Sequence, residues 1–93
     1  MNLVSTYFGE NLRRCRRAAG FSQEELGIRA SLHRTEVGLL ERGARMPRID
    51  TVIKLATALK LEPARLLEDI VWNPGDITRG AFSIRESSGG AAG

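Results

Sequence analysis

The stretch FSQEELGIRASLHRTEVGLLERG, residues 21–43, has the pattern of two short helices joined by a sharp turn. Ser22 and Glu25 are spaced as a capping box, in which each residue can satisfy a free backbone N–H at a helix start. This spacing predicts a helix over about residues 23–29. Another helix is predicted over about residues 33–42, where a glycine follows and ends it. The stretch therefore predicts two consecutive helices with little chain between them.

The junction between these two helices has the residues that a tight crossing requires. Such a crossing needs a small residue in the first helix, a sharp turn, and apolar residues that lock the pair. Gly27 supplies the small residue, and Ser31 lies in the turn, where serine adopts a left-handed backbone only at a cost. The apolar residues at the locking positions are Leu26, Ala30, Leu32, Val37 and Leu40. The stretch therefore predicts a helix-turn-helix.

Three further helices are predicted around this motif, because apolar residues recur there at helical spacing. The first covers residues 4–19, the fourth covers about 49–60, and the fifth begins at Pro63, a favoured first-turn residue. The apolar positions that carry this prediction are Phe8, Leu12, Cys15 and Ala19 in the first helix, Ile49, Val52, Ile53, Ala56 and Leu59 in the fourth, and Leu66, Leu67 and Ile70 in the fifth. The predicted fold class is all-α, a bundle of five helices.

The chain after the fifth helix has a different pattern. Asn-Pro-Gly-Asp at residues 73–76 is typical of a type II turn, and residues 81–85 alternate weakly, which makes them a candidate short β-strand. The predicted organisation is a helix-turn-helix domain at residues 1–71, a C-terminal extension at 72–86 that is a candidate dimerisation segment, and a flexible tail at 87–93.

The composition excludes several classes of function. The 93 residues contain a single cysteine, Cys15, which is expected in the core and cannot form an internal disulfide or a metal cluster. No catalytic constellation or phosphate-binding loop occurs in the sequence, so no enzyme activity, cofactor or metal site is predicted. Without a leader or a membrane-spanning apolar run, the protein is expected in the cytoplasm. The formal net charge of +3 permits a polyanionic partner without establishing one.

Two longer stretches carry a family resemblance. LRRCRRAAGFSQEELG at residues 12–27 and LERGARMPRIDTVIKLATALKLEPARLL at residues 40–67 resemble the Cro/CI-type (XRE) helix-turn-helix regulators of bacteria and phages. The resemblance extends over about residues 8–70 and implies a five-helix bundle whose third helix enters the major groove of double-stranded DNA. Two positions depart from the family pattern: Ser31 replaces the usual glycine of the turn, and His33 replaces the usual serine or threonine cap.

The predicted third helix has two sides, which separate candidate base-reading residues from the core. Val37 and Leu40 define the buried side, so Gly38 and Leu39 fall on the opposite side, where Gly38 would let the backbone approach the groove wall. An outward Leu39 can press on a thymine methyl or join a protein interface; the alternative is that it packs inward. Arg34 can bind guanine O6 and N7. The candidate DNA-binding residues are Gln23, His33, Arg34, Thr35, Glu36, Gly38, Leu39, Arg42, Arg45 and Arg48.

The resemblance also assigns supporting roles to other residues. It implies a structural salt bridge between Arg16 and Glu41 that ties the first helix to the third. It further implies that Gln23, at the start of the second helix, contacts a phosphate and braces the third helix. Arg42 is placed for a phosphate contact, and the arginines of the following loop are further candidates.

One reading helix covers only a few base pairs, so a homodimer on a palindromic operator is predicted, with its reading helices about 34 Å apart. The candidate interface residues are Leu67, Ile70, Trp72, Phe82 and Ile84; alternatively these residues fold back over their own core. The predicted function is a sequence-specific DNA-binding transcriptional regulator, a repressor that acts by occupying a promoter. A stand-alone repressor, a restriction–modification controller and an antitoxin stay open. The rival hypothesis is a protein-interaction module or antitoxin-type partner-binding protein on the same fold, with weak or no base reading.

Overall fold

The computed structural model of the chain describes residues 2–75 and 79–85. Its helices precede a two-stranded antiparallel hairpin. The elements are α1 (Leu3–Ala18), α2 (Gln23–Ala30), α3 (Arg34–Glu41), α4 (Ile49–Leu59), α5 (Pro63–Leu66), β1 (Ile70–Pro74) and β2 (Gly80–Ile84). The predicted five-helix bundle is confirmed, and the ends of the first four helices lie within one residue of those predicted.

The starts of α1 and α2 are capped by side chains. The Val4 backbone N–H donates to Asn2 Oδ1 at 2.8 Å. At α2, the Glu25 backbone N–H donates to Ser22 Oγ at 3.0 Å, and the Ser22 backbone N–H donates to Glu25 Oε1 at 3.3 Å. This reciprocal pair is the predicted capping box, which satisfies two of the N–H groups that a helix start leaves free.

Two glycines allow helices to approach α3 closely. A Cβ atom at Gly27 would lie 2.6 Å from the Leu32 carbonyl oxygen, so the prediction of a required small residue there is confirmed. A Cβ atom at Gly9 on α1 would lie 2.6 Å from the Glu41 carbonyl oxygen. This second close contact had no counterpart in the sequence analysis, and it brings α1 directly against the backbone of α3.

The core is aliphatic except for one phenylalanine and lies between the helices. Val37 and Leu40 of α3 are fully buried in it, as predicted, and half-buried Cys15 packs against it. The buried hydrophobic residues are Phe8, Leu12, Leu26, Ala30, Val37, Leu40, Leu55, Ala56, Leu59 and Leu66.

Some predicted core positions are wrong. Ile49 and Ile53 of α4 are 80% and 50% exposed, because the buried face of α4 runs through Leu55 and its neighbours at helical spacing and leaves the two isoleucines beside it. Leu67 is 46% exposed, since α5 ends one residue before it. Ala19 is also exposed, because α1 ends at Ala18 and Ala19 is its C-cap residue.

The C-terminal hairpin replaces the predicted continuation of the fifth helix. Asp69 takes a left-handed conformation with φ 67°, and β1 then begins at Ile70, which packs against the core from a strand and not from a helix. The predicted strand at residues 81–85 is β2, shifted by one residue, whereas β1 was missed. The type II turn predicted at residues 73–76 is misplaced: Asn73 and Pro74 still pair with β2, and Asp76 lies outside the described residues.

A buried asparagine attaches the hairpin to the helices. Asn11 of α1 is 3% exposed, and its Nδ2 donates to the carbonyl oxygens of Leu66 at 3.1 Å and Glu68 at 3.0 Å. The Leu66 carbonyl is the last of α5 and the Glu68 carbonyl lies two residues beyond it, where the end of a helix leaves acceptors unpaired. β1 begins before the proposed boundary between residues 1–71 and 72–86, so that boundary falls inside the hairpin. The predicted flexible tail at residues 87–93 lies outside the described residues.

Candidate nucleic-acid interface

The N-terminal end of α3 is exposed and capped. The Thr35 backbone N–H donates to His33 Nδ1 at 3.0 Å, so His33 is the N-cap in place of serine or threonine. Arg34 and Thr35 follow it and are both exposed. The backbone is thus fixed at the point from which side chains of a reading helix reach base edges.

The turn before α3 has the left-handed backbone that is costly for a serine. Ser31 has φ 60° and ψ 43°, the left-handed conformation that glycine adopts without strain. The Leu32 backbone N–H donates to the Gly27 carbonyl at 2.8 Å across the turn. The serine therefore keeps the helix-turn-helix geometry, at some cost in backbone energy.

The middle of α3 differs from its predicted exposure. Gly38 is buried, so the expectation that it lies open on the outer face of α3 is wrong, while its approach to a groove wall stays a prediction. The head groups of Gln23 and Arg42 cover it: a Cβ atom at Gly38 would lie 3.5 Å from Gln23 Oε1 and 3.2 Å from Arg42 Nη1. Leu39 is half-buried and stands apart from the core cluster formed by Val37 and its neighbours.

A buried carboxylate holds α1, α2 and α3 together behind this surface. The Glu41 side chain has 0% exposure and accepts from Arg16 Nε at 2.5 Å and Arg16 Nη2 at 3.0 Å, so the expected ion pair is present. Gln23 Nε2 donates to Glu41 Oε1 at 3.0 Å, and Arg13 Nε lies 3.5 Å from the same oxygen. Arg16 Nη1 also donates to the Phe21 carbonyl at 2.8 Å. One carboxylate thus connects three helices.

The electrostatics of this group favour the charged state of both partners. Burial alone raises the pKa of the Glu41 carboxyl, but the hydrogen bonds that it accepts, first from Arg16, and the charge of Arg16 hold that pKa below its usual value. The hydrogen bond to Glu41 raises the pKa of Arg16 in turn, against the effect of burial. The charges stay paired inside the protein, where an unpaired charge would be expensive.

Three other candidate residues, one in α3 and two in the loop that follows it, form ion pairs. Arg45 Nη1 pairs with Glu36 Oε1, and Arg48 Nε lies 3.3 Å from Asp50 Oδ1. The side chains of Arg45 and Arg48 are nevertheless 54% and 83% exposed. Exposed pairs of this kind are weak, so a phosphate can compete with either carboxylate.

Some residues around the site were not predicted from the sequence. Arg13 joins the Glu41 cluster; its position three residues before Arg16, on the same face of α1, is the signal that could have shown it. Ile28 of α2 is 73% exposed and, like Ile49 and Ile53, adds apolar surface. Helical periodicity alone does not distinguish such exposed isoleucines from core residues. Over the described ranges there is no group of three potential metal ligands and no helix with the length and apolarity of a membrane span.

Four of the five candidate dimer residues share one face of the hairpin, whereas Leu67 is the C-cap residue of α5. Trp72 pairs with Phe82 across the strands, with ring centroids 4.9 Å apart, and Ile70 pairs with Ile84 on the same face. Ile70 packs on the core, whereas Trp72 is 51% exposed and Phe82 and Ile84 are each 39% exposed. The base of the hairpin therefore folds back over its own core, and its aromatic pair stays largely accessible.

A helix with a capped and exposed N-terminal end, which meets a second helix at a glycine and is anchored by an internal ion pair, is the arrangement of a helix-turn-helix protein. Comparison with known protein families shows which family this is: the model of the family described as "Helix-turn-helix domain" matches residues 8–68. The chain belongs to this family, as an XRE-type, Cro/CI-like transcriptional regulator. It is a DNA-binding regulator and not an enzyme.

Three relatives illustrate the similarity. The control protein C.BamHI of Bacillus amyloliquefaciens is 35% identical over 68 residues, which cover 72% of this chain and 84% of the relative. The crystal structure of the restriction-modification controller protein C.AhdI of Aeromonas hydrophila has 45% identity and a TM-score of 0.66, and covers 67% of this chain and 94% of its own. The P22 c2 repressor, solved in complex with a synthetic operator, has 27% identity and a TM-score of 0.61, with 64% and 91% of the two chains covered.

Proposed function

We propose that this protein is a sequence-specific regulator that occupies a palindromic operator as a homodimer and represses by occupancy. One observation carries the proposal: α3 has a capped and exposed N-terminal end, while its last residue, the buried Glu41, fixes the helix to α1 and α2. Such a helix can enter a major groove without losing its place on the domain. The relatives named as controllers and repressors support the same conclusion.

The exposed residues at the start of α3 are the proposed base readers. Arg34 has the planar fork that matches guanine O6 and N7, and Thr35 offers a hydroxyl and a methyl group. Half-buried Leu39, one turn further along, is proposed to contact a thymine methyl from the edge of the same surface. Glu36 is paired with Arg45, which neutralises its charge; once that ion pair opens, its carboxylate is proposed to accept from cytosine N4 or to repel phosphate.

The phosphate contacts are proposed to flank this reading surface. Gln23 lies at the N-terminus of α2, where free backbone N–H groups also suit an anion. Arg42 lies at the other end of α3, and Arg45 and Arg48 follow in the exposed loop. These contacts would set the register of α3 on the duplex without selecting its sequence.

The accessible end of the hairpin is the proposed dimer surface. A symmetric operator needs two copies of α3 about one helical turn apart, so two chains must meet through a self-complementary patch. Trp72 and Phe82 supply exposed aromatic area of the kind that dominates interface energetics, with Leu67 and Ile84 as further apolar exposure. Ile70 is withdrawn from this patch, because it packs on the core.

The control proteins among the relatives favour one subtype. We infer that the chain acts as a controller of a restriction–modification system, since it spans 84% of C.BamHI and 94% of C.AhdI. Sequencing the flanking genes tests this directly. A neighbouring restriction endonuclease or DNA methyltransferase gene is expected, and a toxin gene beside it would instead favour an antitoxin.

Salt-dependent binding tests the DNA-binding part of the proposal. We expect a labelled random-sequence duplex to bind with a steep salt slope, because each neutralised phosphate releases counterions. Arg42→Ala should weaken binding to all sequences alike and reduce that slope by about 1, whereas Arg34→Ala should cost ~1–3 kcal/mol only at a preferred site. Arg65→Ala on α5 removes the same charge and is the matched control. Absence of duplex binding at low salt would contradict the proposal and favour the protein-interaction module.

A further inference from the structure

Gly38 is buried although it has no side chain of its own and lies on the face of α3 away from the core. The ends of two polar side chains, those of Arg42 and Gln23, cover it. A Cβ atom at this position would lie 3.2 Å from Arg42 Nη1, 3.5 Å from Gln23 Oε1 and 3.9 Å from Gln23 Nε2. The missing side chain therefore leaves a notch on the surface of α3, and an arginine and a glutamine fill it.

The two head groups come from different parts of the motif. Gln23 is the first residue of α2, and Arg42 is the C-cap of α3. Arg42 Nη1 and Gln23 Nε2 lie 3.2 Å and 3.9 Å from the same point, so these two donor atoms are at most about 7 Å apart. Two donors at that separation can reach different oxygens of one phosphate group at ordinary hydrogen-bond lengths.

The Gln23 amide is held in place by a hydrogen bond, whereas the Arg42 guanidinium forms no ion pair among the described residues. Gln23 Nε2 donates to the buried Glu41 at 3.0 Å, which fixes the amide and leaves its second N–H for another acceptor. Within residues 2–75 and 79–85 no carboxylate forms an ion pair with Arg42. Among the described residues, its guanidinium therefore keeps a charge that no carboxylate neutralises.

We propose that Gly38 is a positioning residue of the DNA interface, which lets Arg42 and Gln23 converge into a two-armed clamp for one backbone phosphate. The proposal rests on the proposed function, since it assigns a phosphate to that interface. A glycine in the middle of a helix is unfavourable compared with alanine. Its presence is explained if a side chain there would displace the clamp.

The test compares DNA binding with stability in the full chain. Gly38→Ala removes the unfavourable effect of a glycine inside a helix, so thermal stability should rise by a few degrees. Its methyl group meets the movable end of Arg42, so duplex affinity should fall. Gly38→Leu fills the notch and should displace both arms, lowering affinity for a labelled random-sequence duplex about tenfold and its salt slope by about 1. Thr57→Leu, at an exposed position of α4, is the matched control for added apolar bulk and should leave binding unchanged.

A double-mutant cycle shows whether Gly38 acts through Arg42. The loss of affinity in Gly38→Leu/Arg42→Ala should be smaller than the product of the two single losses, because both changes disable one clamp. Multiplicative losses, or an unchanged salt slope in Gly38→Leu, would overturn the clamp while leaving the proposed function intact. Failure of the wild-type protein to bind any duplex would overturn both.

Discussion

Replacing Glu41 by glutamine tests the ion pair that holds the reading helix. Glu41→Gln keeps the shape of the side chain but removes the charge that compensates the guanidinium of Arg16, whose side chain is only 11% exposed. Hydrogen bonds to charged groups contribute ~1.5–3 kcal/mol each, but the bonds at this carboxylate share one desolvation cost and do not add in full. Removing one partner of a buried pair costs ~3–5 kcal/mol. Arg13 adds little to that figure, since its side chain is 43% exposed and screened by solvent.

A loss of that size is a large part of the stability of a domain this small, which is ~5–15 kcal/mol in total. Urea unfolding followed by far-UV circular dichroism measures the loss. Glu10→Gln makes the same chemical change at an exposed site of α1 and should alter stability by less than ~0.5 kcal/mol. If Glu41→Gln is destabilised no more than this control, the ion pair does not hold α1 to α3 and the reasoning is refuted.

The same pair sets the acid sensitivity of the fold. Because the pKa of Glu41 is lower in the folded protein than in the unfolded chain, its contribution is fully present above the usual carboxyl value of about 4.5. It is lost as the pH falls from there through the folded pKa. Wild-type stability should therefore drop below pH ~4.5 more steeply than that of Glu41→Gln. Parallel pH profiles for the two proteins would contradict this assignment.

Three further predictions follow from the fold. Ser31→Gly should stabilise the protein by ~0.5–1 kcal/mol in the same urea assay, because glycine takes the left-handed turn without strain; a loss of stability would contradict this. Asn11→Ala should cost ~1–3 kcal/mol and speed amide exchange in β1, since it leaves the Leu66 and Glu68 carbonyls unpaired; unchanged exchange would show that the hairpin does not depend on Asn11. Trp72→Ala should raise the dimer dissociation constant at least tenfold in sedimentation equilibrium, about 1.4 kcal/mol, whereas an unchanged constant would exclude the aromatic pair as the interface.

Local signals made the helix-turn-helix predictable from the sequence. The capping box at Ser22 and Glu25 and the small residue Gly27 each depend on a few neighbouring residues, and the structure contains both. The exposure of Ile49 and Ile53 could not be predicted in the same way, because periodicity identifies an apolar stripe without showing how wide the packed part is. Only the positions of the other helices decide that width.

The hairpin and the notch depend on contacts between distant residues. β1 was missed because Ile70 continues the apolar spacing of α5, and the break at Asp69 comes from a left-handed backbone that its sequence does not require. The burial of Gly38 depends on side chains at both ends of the motif, Gln23 and Arg42, which fold over it. A helical projection treats each helix alone, so it assigns Gly38 to an open face.

Selection of bound sequences from a random duplex pool, performed with the wild-type protein and with Arg34→Ala, tests most directly whether α3 reads bases. We expect the wild-type protein to enrich two symmetric half-sites with centres about one helical turn apart. Arg34→Ala should lose a guanine at one position of each half-site while the rest of the motif persists. A wild-type selection without an enriched motif, or an identical motif from Arg34→Ala, would contradict base reading through Arg34 at the start of α3.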